Sequence, residues 1–240
     1  MNILLSNDDG YKSSGLKVLK NVLEEYGDVT TVAPHRDISA SSSCLSVHSP
    51  VQIKKISKNF YKIYGTPADC VHIGSRGIMK KNPDIVFSGV NIGSNMGDDV
   101  IYSGTVGAAI EGRHSKYGSV AISIASKNPE HITDLNHKLK YIIEYIFHKL
   151  ISQKAIININ IPDLPFSKIK GFKITKLGKR KQSLKALPLK KNKNRYFNIG
   201  GVGKGISAEG NDFHAIEKGF ISITPLTIDM TNSEVYNKIK

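Results

Sequence analysis

The chain holds 240 residues, 40% of them hydrophobic, with 34 Lys and Arg against 20 Asp and Glu for a formal charge of +14, a length that supports a sizeable core in one large α/β unit or two small ones. No apolar run approaches the ~18 residues of a bilayer-spanning helix, and Met1-Asn2-Ile3-Leu4-Leu5 lacks the charged-then-apolar order of a signal peptide. Cys44 and Cys70 are the only cysteines, too few for a disulfide framework and not spaced as a metal-binding pair, so a soluble, unexported, cytoplasmic protein is expected.

Ile3-Leu4-Leu5 reads as a short buried strand. Ser13 or Ser14 is placed to cap a helix whose Leu16, Val18, Leu19, Val22 and Leu23 share one face, with Gly27 as its stop. Val29 to Ala33 forms a second strand. Val51 to Ile56 and Phe60 to Tyr64, flanking Ser57-Lys58-Asn59, predict an inserted hairpin. Further strands are expected at Pro83 to Phe87, Val120 to Ile124 and Ala155 to Ile159. A helix over His131 to Gln153 carries Leu135, Leu139, Ile142, Ile143, Ile146, Phe147, Leu150 and Ile151 at the three-and-four spacing of an apolar stripe. This alternation of β and α predicts a Rossmann-like, doubly wound and mostly parallel sheet of about five inner strands. The core is expected over residues 1–160. Residues 161–240 read as a basic, β-rich extension, with strands at Gly171 to Thr175 and Phe220 to Thr224 and a C-terminal segment carrying binding or oligomer contacts. Between Leu164 and Gly200 stand twelve Lys or Arg and no acid.

Three loops open on the carboxyl edge of such a sheet, where ligands collect. Asn7-Asp8-Asp9-Gly10 follows the first strand. Two adjacent carboxylates repel unless a cation joins them, and a hard divalent ion such as Mg²⁺ or Mn²⁺ suits oxygen donors; the alternative is a turn-capping Asp8 beside a solvated Asp9. The segment from Ser88 to Gly107 has a glycine about every four residues, the amides of Asn91 and Asn95, and Ser103-Gly104-Thr105 directly before a helix. Backbone N–H groups in such a segment approach an anion closely, and a helix N-terminus adds donors and a favourable dipole; the plain alternative is a glycine-rich connector. In the third loop, Ala33 to Ser43, Ser39 offers a hydroxyl to a metal and Arg36 a partner for phosphate.

Ser-Asn-Asp-Asp-Gly at 6–10, Ala-Pro-His-Arg-Asp-Ile-Ser at 33–39, Gly-Thr-Pro-Ala-Asp-Cys at 65–70, the block from Ser88 to Gly112 and Gly-Phe-Ile-Ser-Ile-Thr-Pro-Leu at 219–226 together resemble the SurE family, in the same order and over nearly the whole chain. The resemblance implies a single domain and a cytoplasmic 5′-nucleotidase that hydrolyses nucleoside 5′-monophosphates, with broader phosphomonoesterase, 3′-nucleotidase or exopolyphosphatase activity as the alternative. It also implies one divalent cation per subunit, Mg²⁺ or Mn²⁺, on Asp8, Asp9, Ser39 and Asn91, and a homodimer or homotetramer formed through the C-terminal extension. Asp8 and Asn95 are the expected catalytic residues, with Asn95, Ser103, Gly104 and Thr105 holding the substrate phosphate. His214 is a candidate general acid. The third loop departs from the family pattern at His35 and Ile38, and again at Ser43, Cys44 and Ser46.

Other classes fit less well. A receiver module needs an aspartate where Phe87-Ser88-Gly89 stands, a haloacid-dehalogenase-type phosphatase needs Asp-x-Asp, and no Gly-x-Gly-x-x-Gly follows the first strand to bind a dinucleotide. A nucleic-acid-binding role would use the basic tract, but the tract lacks interleaved aromatics. Its lysines and arginines are expected to capture anionic substrate electrostatically.

Overall fold

The computed structural model describes the backbone of residues 1–191 and 194–240 and the side chains outside 190–195; Lys190, Lys191, Lys193 and Arg195 of the basic tract, as side chains, lie outside the described residues. In chain order the elements are β1 (Asn2–Ser6), α1 (Ser14–Leu23), β2 (Asp28–Pro34), β3 (Ile53–Ser57), β4 (Phe60–Ile63), α2 (Pro67–Ile73), β5 (Ile85–Ile92), α3 (Gly104–Glu111), β6 (Gly118–Ile124), α4 (Leu135–Tyr145) and β7 (Ala155–Ile161). There follow β8 (Phe172–Ile174), β9 (Lys179–Arg180), β10 (Leu187–Lys191), β11 (Asn194–Asn198), β12 (Gly205–Ile206), α5 (Asp212–Glu217), β13 (Ile221–Leu226) and α6 (Ser233–Ile239).

Nine strands form the main sheet in the order β3-β4-β2-β1-β5-β6-β7-β13-β8. The inner five, β2-β1-β5-β6-β7, are all parallel and are the five strands expected from apolar runs. Their runs are continuous because both faces are covered. Along β1 the pleat sends Ile3 and Leu5 to one face, where they meet Leu19 and Leu23 of α1 and Leu139, Ile142 and Ile143 of α4. Leu4 points to the other face with Cys70 and Val71 of α2 and Ala108 of α3. The predicted hairpin is present as antiparallel β3 and β4, and β4 joins the sheet parallel to β2. At the far edge β13 runs antiparallel to β7, and β8 pairs parallel to β13.

Two local expectations differ from the structure. The first helix ends at Leu23 with Glu24 as its C-cap, and Ser13 occupies the N-cap without a side-chain hydrogen bond. Gly27 is not its stop; a Cβ there would lie 2.3 Å from the Met1 carbonyl oxygen, so the close passage of the residue before β1 is what needs glycine. The long helix is segmented: a 3₁₀ turn at Ile132–Asp134, α4 proper, a π turn at Ile146–Leu150 and a 3₁₀ turn at Ile151–Gln153. Lys154, left-handed at φ 45, ends it.

Candidate active site

From β1 the chain crosses to β2 on one side, whereas β5 lies on the other. The carboxyl ends of β1 and β5 therefore flank a topological switch point, the crevice that open α/β sheets use for ligands. Asn7 fixes the turn after β1: its Nδ2 donates to the Gly10 carbonyl at 3.0 Å. Gly10, at φ +92, has no Cβ to strike the Arg36 backbone, which would lie within 2.8 Å. The amide of Ile38 donates to the Asp8 carbonyl at 2.9 Å, so the first and third loops are joined through backbone.

The Asp8 side chain is buried and faces the start of α3, where Thr105 Oγ1 donates to its Oδ1 at 2.6 Å and the Thr105 amide to its Oδ2 at 3.1 Å. Burial pushes the Asp8 carboxyl above its ordinary range; the Thr105 bonds oppose that shift and the nearby Asp37 charge adds to it. Asp9 is pushed up to about 6, by burial first and by the Asp8 charge second, and its one backbone donor, the Ile92 amide, is distant at 3.4 Å. Three acidic side chains thus bear on one crevice, and no positive charge is among the causes of the Asp8 and Asp9 shifts.

Asn91, at the end of β5, directs its Nδ2 to the Gly93 carbonyl at 2.8 Å. Ser39 is exposed on the third loop, with amide and hydroxyl both donating to Asp37 Oδ1 at 2.8 and 2.6 Å. Asn95 is held by the ends of β6 and β7: its Nδ2 donates to Ser123 Oγ at 2.8 Å, its amide to Asn160 Oδ1 at 2.9 Å, and its carbonyl accepts from Asn158 and Asn160. Ser103 caps α3 by accepting from the Val106 amide. The helix begins at Gly104, so Thr105 lies within its first turn, and the described Thr105 bonds go to Asp8. Among the described residues no three His, Cys, Asp or Glu side chains form a metal cluster; a cation here would rest on Asp8 and Asp9 with the neutral oxygens of Ser39 and Asn91. That all-oxygen set fits a hard divalent ion.

His214 is placed elsewhere. Its side chain lines a cleft of about 350 Å³ with Lys173, Asn211, Lys218 and Phe220, and neither Asp8 nor Asp9 borders that cleft. The candidate general acid is therefore not brought to the carboxylate pair.

Sequence reasoning missed three aspartates that shape the site. Asp37 adds to the charge on Asp8 and Asp9. Asp69 completes a capping box with Thr66 at the start of α2 and accepts from the Ser46 amide and hydroxyl at 2.8 and 2.7 Å, fastening the far end of the third loop. The Thr-Pro-Ala-Asp spacing at 66–69 was a readable signal for that box. Asp212 is fully buried and accepts from the amides of Gly97, Gly178 and Phe213, which ties the extension to the segment leading into α3. No local pattern marks it, because Gly97 and Gly178 come from distant parts of the chain.

Comparison with known proteins identifies relatives over the whole chain. The family profile described as Survival protein SurE matches residues 3–184. The 5′-nucleotidase SurE of Histophilus somni (strain 2336) is 43% identical over 96% of this chain and 94% of its own length. The 5′/3′-nucleotidase SurE of Wigglesworthia glossinidia brevipalpis is 44% identical over 100% of this chain and 96% of its own. The crystal structure of the SurE protein from Aquifex aeolicus superposes with a TM-score of 0.87 at 36% identity, covering 100% of this chain and 98% of that one.

Proposed function

The chain belongs to the SurE family, and from that premise we propose that it is a 5′-nucleotidase, a phosphatase that converts nucleoside 5′-monophosphates to nucleoside and phosphate. The observation that carries this reading is the buried Asp8 carboxylate, fixed by Thr105 at the N-terminus of α3 with Asp9 beside it. One divalent cation per subunit, Mg²⁺ or Mn²⁺, would be held by Asp8, Asp9, Ser39 and Asn91. When bound, such an ion supplies polarisation of the phosphoryl group and a water of lowered pKa. Thr105 orients Asp8, and the two carboxylates repel an anion until the cation neutralises them. Gly104 and the helix dipole then favour the phosphoryl oxygens, which Asn95 and Ser103 would also hold, while Thr105 is bonded to Asp8.

Phosphate release from a panel of nucleoside monophosphates and polyphosphate, with Mg²⁺ or Mn²⁺ and with chelator, tests the proposal. Cation-dependent turnover is expected; none under any condition would refute it. A second reading, activity on 3′-monophosphates as well, is supported by the printed name of the Wigglesworthia relative, and the same panel decides it.

A homodimer or homotetramer is part of the proposal. Leu187, Leu189 and Phe197 on β10 and β11, and Val235, Tyr236 and Ile239 on α6, are exposed apolar side chains of the extension, the kind of surface that subunit contacts cover. No described helix is long and apolar enough to cross a membrane, which is compatible with the proposed cytoplasmic location.

A further inference from the structure

We propose that Ser41 is a substrate-contacting residue whose hydroxyl donates a hydrogen bond to a phosphoryl oxygen; the inference rests on the phosphatase reading and deepens it. The Ser41 Oγ is buried without a hydrogen-bond partner. A Cβ built on Gly104 would come within 2.8 Å of that oxygen, 3.0 Å of Asp8 Cβ and 3.1 Å of Asp8 Oδ2. The hydroxyl, the Asp8 carboxylate and the first residue of α3 therefore converge on one point, and only a glycine at 104 lets them pack this closely.

The neighbouring polar groups are committed. Thr105 serves Asp8, Ser103 Oγ accepts from the Val106 amide, and the Gly107 amide donates to the Ser103 carbonyl. Among these hydroxyls, Ser41 Oγ is the one with no hydrogen-bond partner. Buried hydroxyls without partners cost free energy; Ser6, Thr31, Ser88 and Ser222 share that state but lie within strands, whereas Ser41 lies on the loop that packs against Gly104. The backbone points the same way. Ala40 and Ser42, on either side, adopt left-handed conformations at φ 58 and φ 54, a strain that non-glycine residues keep only where surrounding contacts enforce it. Those contacts are present: the Ser42 amide donates to the Tyr102 carbonyl at 3.1 Å, its hydroxyl to the Ile101 carbonyl at 2.6 Å, and its own carbonyl lies so close to α3 that a Cβ on Gly107 would be 2.3 Å away. At a helix N-terminus with Asp8 already satisfied by Thr105, the acceptor such a donor meets is an anionic oxygen brought by the ligand, and a phosphoryl oxygen has that chemistry.

The test is Ser41→Ala, with Mn²⁺ binding, inorganic phosphate binding to the Mn²⁺-loaded protein, steady-state kinetics on a nucleoside monophosphate, and thermal unfolding. Losing one bond to a charged oxygen should weaken phosphate binding and lower kcat/KM by about tenfold, with Mn²⁺ affinity unchanged. Thermal stability should hold or rise, because an unpaired buried hydroxyl has been removed. Phosphate affinity and kcat/KM both within about twofold of the parent overturn the inference. So does a loss of Mn²⁺ affinity, which would make Ser41 a metal ligand, or a lowered melting temperature with phosphate binding intact, which would make it structural. A parent that neither turns over nucleoside monophosphates nor binds phosphate removes the phosphatase reading, and this inference with it; an active parent with an unaffected variant removes this inference alone.

Discussion

Asp8 and Asp9 present the central problem at the scale of single residues: two adjacent carboxyls, both pushed upward, with burial as the first cause for each. A cation relieves the repulsion, so Asp8→Asn, which keeps shape and removes charge, should weaken Mn²⁺ binding measured by calorimetry and cut turnover by orders of magnitude. Unchanged kinetics would take Asp8 out of the site. The pH dependence follows from Asp9. In the metal-free protein its carboxyl sits at about 6, above the ordinary 3.8, so the folded state holds this proton more tightly than the unfolded chain does. Its contribution favours folding fully below about 3.8 and is lost as pH rises through about 6. Because a cation competes with that proton, the rise in melting temperature on adding Mn²⁺ should be largest above pH 6 and shrink as pH falls below it; an equal rise at pH 5 and pH 7.5 would contradict the assignment. The carboxylate pair was readable from sequence because its members are neighbours in the chain just past an apolar run. Asp37 and Ser41 were not, since their meaning depends on where the third loop lands, and that is fixed by contacts from α2 and α3; Asp69 was readable as a helix cap but not as the anchor of Ser46.

Secondary elements were readable wherever one periodicity held. The five inner strands are apolar on both faces, and the stripe from Leu135 to Ile146 lies buried as its spacing predicts. Boundaries were less readable: Gly27 and the C-terminus of α1 differ because a glycine needed for close passage looks the same in sequence as one that ends a helix. The parallel pairing of β4 with β2 and the antiparallel seam of β13 with β7 are long-range matters that local patterns do not encode. The α4 stripe yields its own prediction. Ile143 is 0% exposed and packs with α1 and the β1 face, so Ile143→Ala should cost about 2 to 5 kcal/mol in chemical denaturation while the folded fraction keeps its Mn²⁺ affinity. Unchanged stability would mean that this face does not bear on the core.

For the whole molecule, the structure divides the basic tract into cations of two kinds. Lys179 and Lys181 are exposed. Arg180 between them is not a free charge: its Nε pairs with Asp99 Oδ2 at 2.5 Å without hydrogen-bond geometry, its Nη1 donates to the Gly203 carbonyl, and its guanidinium lies 4.9 Å from the centre of the Phe213 ring. Asp99 belongs to the 3₁₀ turn Gly97–Tyr102 that leads into α3, and the same turn is held by Asp212 through the Gly97 amide. Arg180 therefore joins the extension to the turn that leads into α3, whereas the lysines are expected to act only through their field. Exchanging both Lys179 and Lys181 for Gln should raise KM at low salt, more for polyphosphate than for a mononucleotide, and leave kcat nearly constant. The difference from the parent should vanish as ionic strength shortens the screening length below about 8 Å. Arg180→Gln should behave oppositely. Its loss loosens the turn before Ser103, so kcat falls and stays low at high salt, because the defect lies in the position of α3 and screening does not touch it. Steady-state kinetics across a salt series separates the two. If the lysine variant loses kcat irrespective of salt, or the arginine variant recovers with salt, the division of the tract into field and fastening is wrong.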